Sequence, residues 1–250
     1  MWRSLQRWRG VALVALVMIA TIVLAATNQL QLYIHPRYIV FTVVMVALGA
    51  VLLVGSLFSR TAGADDTGDA PTQPARVAAY LGVVLAAALA ITMIVLPPAT
   101  LSSTTADQRD VTSTTIGAQT QDAAAVASAP VAAFASFTVI DWASLLRQTT
   151  DVAFYQDKPV TVVGFIVPDR EDPDNIFYVS RFFVTCCAVD AQPTGIPVYY
   201  PDWEAAFSVD DWVEVSGGLT TNPSRASTQP LAVQPTAVTP IEQPSDPYLY

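Results

Sequence analysis

Lysine, histidine and cysteine are all but missing from this chain. Lys158 and His35 stand alone, and the two cysteines sit side by side as Cys186 and Cys187. Each scarcity closes off a class of function. With one histidine, far along the chain from either thiol, no serine–histidine pairing is assembled. Adjacent cysteines give no CxxC spacing, so a thioredoxin-type redox motif is absent. No glycine-rich phosphate cradle occurs, and no carboxylate pair of defined spacing. The sequence therefore supports no enzymatic reaction. Charge is scarce too: 13% of residues are charged against 52% hydrophobic, too apolar for an ordinary soluble protein. What charge there is divides unevenly. From Pro97 onward there are 6 basic and 18 acidic residues, a balance of −12, whereas the part before it is positive. A strongly negative module repels phosphate backbones, which excludes nucleic acid as its partner.

The first 98 residues hold three long apolar runs, expected as transmembrane helices over about 10–28, 38–58 and 77–96. At 1.5 Å per residue, about 20 residues cross about 30 Å of hydrocarbon. The first run follows Arg3, Arg7 and Arg9 and is read as a retained helix. Ala25-Ala26-Thr27 is a poor cleavage site and the run is long for a signal peptide. Arg60 and Arg76 flank the loop between runs two and three, so arginines mark the amino terminus and that loop as cytoplasmic. Everything after Leu96 is then extracytoplasmic, in a multi-pass protein of the cell membrane. The loop carries Asp65, Asp66 and Asp69 without ligand spacing and reads as a solvated linker. His35, in the turn after run one, reads as an interfacial turn element. Small residues in run two, Gly49, Ala50 and Gly55, permit close helix approach.

Residues 99–135 are rich in Ala, Ser, Thr and Gln and lack periodicity, so they are expected as a flexible stalk. The domain 136–250 follows. Asp141 is a helix N-cap residue, and Trp142, Leu145 and Leu146 then fall on one face of a short helix. Val160–Val167, the run ending at Cys186, Ile196–Tyr200, Trp212–Ser216 and Leu231–Ile241 read as five strands. Gly217-Gly218 breaks or bulges the fourth, and Pro235 sends the fifth to an edge. Five short strands in about 80 residues give a small, OB-like barrel with one short helix. Asp210-Asp211 reads as a solvated turn. Tyr178, Tyr199 and Tyr200 fit either a binding face or half-buried strand aromatics.

Three readings fit Cys186-Cys187: a buried apolar pair, a strained vicinal disulfide, or a metal site with Asp190. Neighbours on a regular strand point to opposite faces, so two thiols reach one ion only where the strand ends. The loop Ala188 to Gly195 supplies such an end. Two thiolates and a carboxylate suit zinc, with a fourth ligand from water or a partner.

Four segments carry a family resemblance: Val160-Thr-Val-Val-Gly-Phe165, Arg181 to Asp190, Asp210 to Gly217 and Asp246-Pro-Tyr-Leu-Tyr250. Together they resemble the YcgQ-type family of bacterial membrane proteins, closely over the carboxyl domain and in arrangement only over the spans. The resemblance implies an extracytoplasmic domain, a gene paired with that of a multi-span permease, and in some relatives a link to zinc supply. Members can carry His-Cys where this chain has Cys186-Cys187, an exchange a metal ligand tolerates. Some relatives have a histidine-rich tract between spans; Arg60 to Arg76 has no histidine. The expected function is a membrane-anchored accessory subunit of a permease, embedded in the bilayer. The rival is an independent tethered thiol or metal-binding module, and a thiol oxidoreductase comes last.

Overall fold

The computed structural model describes residues 2–60, 100–109 and 121–250, with positions 84, 88 and 92. Two compact units divide the chain, Met1–Ala99 and Thr100–Tyr250.

In the first unit two helices form a hairpin, α1 (Trp2–Ala26) and α2 (Ile39–Arg60). Asn28 ends α1 by adopting φ 57°, and Gln29 N–H then closes back on Leu24 O at 2.9 Å. This is a left-handed cap made with Asn in place of Gly. His35 Nδ1 accepts Arg37 N–H at 3.1 Å and so caps the short turn Pro36–Tyr38 that launches α2. Among the described residues one helix is long and apolar enough to cross a membrane, Pro36–Gly55, and Gly10–Ala26 is a shorter apolar helix. The third expected run, 77–96, and the loop 60–76 lie essentially outside the described residues. Gly49 faces Met18 of α1, whose methyl a Cβ there would meet at 3.6 Å, an ordinary contact.

The second unit is built on six strands: β1 (Pro159–Pro168), β2 (Ile176–Phe183), β3 (Gln192–Tyr199), β4 (Trp212–Thr221), β5 (Leu231–Pro240) and β6 (Tyr248–Leu249). β1 pairs with β4 through Phe165 and with β2 from Phe165 onward. β2 pairs with β3, β3 runs parallel to β5, and β5 pairs with β4. Five strands therefore close in a ring, and β6 adds alongside β2, one strand more than expected. Closure needs β1 to serve two partners, and Gly164 sits at that corner. A Cβ there would lie 2.5 Å from Ser180 O, so only glycine fits.

Alternation sorts the side chains. Val160, Val162, Ile166, Phe177, Val179, Ile196, Val198, Val213, Val215 and Val233 fill the interior. Trp142 and Leu145 of α3 (Val139–Gln148) belong to the same core. α3 begins three residues earlier than the sequence reading has it. Thr138 is the N-cap, and Asp141 lies at the third helical position, where it accepts the Thr138 amide and hydroxyl at 2.8 Å each.

Two further expectations are corrected. Pro235 does not put β5 on an edge: β5 lies between β4 and β3. Register slips at Ser216/Gly217, and Pro235 pairs with Gly217 at that bulge, where a missing N–H does least harm. Nor is 99–135 a free stalk where it is described. Val126 and Phe134 enter the barrel core, and Ser103 and Ala106 are buried. An apolar side chain every few residues in an Ala-rich stretch was enough to fold it onto the domain.

Candidate metal-binding site

β2 ends at Phe183, and the chain turns through Thr185 to a short helical turn, Ala188–Asp190, before β3. Asp190 makes this turn. Its carboxylate accepts Thr185 N–H at 3.1 Å, Cys186 N–H at 2.7 Å and Cys187 N–H at 3.4 Å. In return the Asp190 amide is directed at Cys187, a reciprocal capping box with sulfur in the serine position. The chain thus bends at Thr185 and Cys186, leaving regular strand geometry just before Cys187, whose own backbone is extended.

The result is a cluster. Sγ of Cys186, Sγ of Cys187 and a carboxylate oxygen of Asp190 lie within 4.8 Å of one another. Ligand atoms around tetrahedral zinc at about 2.3 Å are about 3.7 Å apart, so the set must draw closer to hold an ion. Cys186 is exposed and Cys187 half-buried, and no disulfide joins them in the structure. The exposure of Cys186 speaks against the buried-pair reading. The three residues singled out from the sequence are therefore found together, near the surface.

Asp210 stands in an exposed turn, as its sequence suggests, and also has a definite role. Held at φ 71°, it accepts Ser103 N–H at 2.6 Å and Ser103 Oγ–H at 2.9 Å. Arg109 was missed altogether. Its guanidinium donates to Ala191 O and, at 3.0 Å, to Val189 O, the carbonyls on either side of Asp190. The only signal was that Arg109 is the sole basic residue between Arg76 and Arg147.

Of the three tyrosines Tyr178 does not line an open face, and Tyr199 and Tyr200 are half-buried. Tyr178 is buried, on the outer side of β2 with Phe182, which stacks on Phe165 at 5.5 Å. The strap 100–109 contacts β1, and Leu101 N–H donates to Tyr248 Oη at 3.1 Å. Tyr248 in turn meets Phe182 edge-on. The outer aromatic face that a barrel of this size could offer to a ligand is already covered by the chain's own segments. Arg181 fixes the far tail. It donates to the carbonyls of Asp246, Pro247 and Tyr248 and lies 5.8 Å over the Trp212 ring. Burial lowers its pKa, while Asp246 opposes that shift.

Two domain descriptions match the chain: DUF1980 N-terminal domain over residues 8–112 and DUF1980 C-terminal domain over 121–250. No curated protein matches it.

Proposed function

Because the chain belongs to the DUF1980 family, we propose that it is a membrane-anchored, non-catalytic accessory subunit of a multi-span permease. Its outer barrel binds a thiophilic metal ion at Cys186, Cys187 and Asp190. The observation that carries the metal part is the convergence of three ligand atoms within 4.8 Å on one exposed turn. Structural zinc sites are closed by four protein ligands, whereas a three-ligand site leaves a position for water or a partner. A site of that kind suits an ion received and passed on. Zinc is the reference ion; the soft donors also suit copper(I).

The membrane part rests on the apolar helix Pro36–Gly55, the neighbouring Gly10–Ala26 and the unbroken apolar run 77–96. Three spans with the amino terminus inside put the OB-like barrel outside, following the arginines. A single anchor tethers a module, so three spans favour helix contacts with a partner, as the YcgQ-type resemblance implies. The exposed apolar face of α2, including Phe41, Leu48 and Leu52, is available for them.

The test is metal content of the full-length protein purified reduced in mild detergent. About one zinc per chain is expected in the parent and none in Cys186→Ser/Cys187→Ser, with equal melting temperatures when both are stripped of metal. Absence of metal in a folded parent rejects the metal reading. Repeated recovery of the protein without its co-expressed neighbouring permease rejects the accessory reading.

A further inference from the structure

The Cys186–Asp190 turn is gripped from two sides. From within, the Asp190 carboxylate gathers three amides. From without, Arg109 holds the Val189 and Ala191 carbonyls, which flank Asp190 in the chain. Arg109 lies at the end of the strap 100–109. The strap's other end is tied by Ser103 to Asp210 and by Leu101 to Tyr248, with Ala106 fully buried between them. Going back along the chain, the strap leads within a few residues to the apolar run ending at Leu96.

We infer that Arg109 is a positioning residue of the thiol site, and that metal occupancy sets how firmly the strap is held. This rests on the metal reading above. An ion that takes both sulfurs and a carboxylate oxygen must draw Asp190 toward it. The carbonyls of residues 189 and 191 move with Asp190, because they are its nearest backbone neighbours. A planar guanidinium bridging two carbonyls is sensitive to their spacing in a way that a single ammonium contact is not. Charge acts in the same sense. Two thiolates and a carboxylate around a divalent ion leave one net negative charge, which favours a guanidinium nearby. Binding at the turn and docking of the strap are therefore linked, and linkage is reciprocal: whatever the ion does for the strap, the strap does for the ion.

The experiment is hydrogen exchange on the full-length protein in mild detergent, with and without zinc ion, with metal content measured on the same samples. In the parent, zinc should slow exchange of the 101–109 amides about tenfold. Arg109→Gln should bind zinc about tenfold more weakly and show no zinc-dependent slowing. Ser103→Ala, which loosens the far end of the strap, should raise basal exchange yet keep the zinc response. A purely structural role for Arg109 would raise basal exchange without abolishing that response, and this result overturns the inference. So does a parent that binds zinc while its strap exchange stays the same, a result that leaves the metal reading standing. A parent that binds no zinc fells both, and the metal analysis identifies that case. Should Arg109→Gln fail to fold, the parent's own zinc response still decides.

Discussion

The helical hairpin and the barrel use the same kinds of apolar residue in opposite ways. Along α2, Val40, Phe41, Leu48, Val51 and Leu52 stand exposed on a helix without charge for most of its length. In the barrel, Val162, Ile166, Val179 and Val213 are wholly enclosed, and bonds from single polar residues tie the surface together. The hairpin needs only an apolar residue at each place, so its identity is spread over its whole composition. The barrel needs particular residues at particular places: Gly164 at the corner, Gly217 at the bulge, Asp190 in the turn, Arg181 under the tail. That difference foretells where single substitutions matter.

The largest expected effect separates two neighbouring glycines in β4. A Cβ on Gly217 would collide with the carbonyl of Gln234 and lie 2.9 Å from Pro235 Cα, backbone atoms that cannot swing aside. A Cβ on Gly218 meets nothing within 4 Å. Gly217→Ala should cost about 3–4 kcal/mol by forcing β5 off its register, and Gly218→Ala should stay within about 0.5 kcal/mol. Denaturant midpoints measure both. Equal costs would mean that the bulge does not hold Pro235 as described.

Next comes the hairpin. Leu48 is exposed at mid-helix in α2. On a water-facing helix Leu48→Arg would be nearly neutral, but at the centre of a bilayer it costs about 2.5–3.5 kcal/mol. The recovery of the protein in the membrane fraction should therefore fall well below that of Leu48→Ile. Undiminished recovery would break the contrast between the two regions, since α2 would then behave as a surface helix.

How much of this was legible follows the same division. The apolar runs and the period-2 strands declare themselves because burial on one face acts residue by residue. The thiol site was legible as well, since two cysteines and an aspartate three residues on can hardly separate once the strand ends. The strap was not. Its Ala, Ser and Thr resemble a linker, and what holds it are bonds to Asp210, Tyr248, Val189 and Ala191, 80 to 147 residues away. Such pairings leave no local trace. β6 is only two residues long and depends on Arg181 reaching the carbonyls before it. Pro235 misled for a related reason: its rule about edges holds for a regular ladder, and the exception needed the glycine opposite.

The smallest effect tests how dry the barrel's helical cover is. Tyr155 ends a short helical segment, Val152–Tyr155, packs in the core, and donates its hydroxyl to Thr149 O at 2.9 Å. Burial pushes its pKa well above the ordinary 10.0. Burial likewise raises Tyr250 to about 12, helped by Asp246 and Tyr248 and opposed by Arg181. In the unfolded chain both phenols ionise near pH 10, while in the fold they keep their protons. The unfolded state therefore binds fewer protons above pH 10, and stability, fully present below that pH, falls as pH rises toward the folded values. At neutral pH Tyr155→Phe should cost about 1 kcal/mol for the lost hydrogen bond. Above pH 10 the parent should decline more steeply than the variant, so the gap narrows from pH 9 to pH 11. Denaturant midpoints at those two pH values read it directly. A constant gap would mean that Tyr155 ionises alike in both states, and that water reaches beneath this part of the barrel as freely as it reaches the unfolded chain.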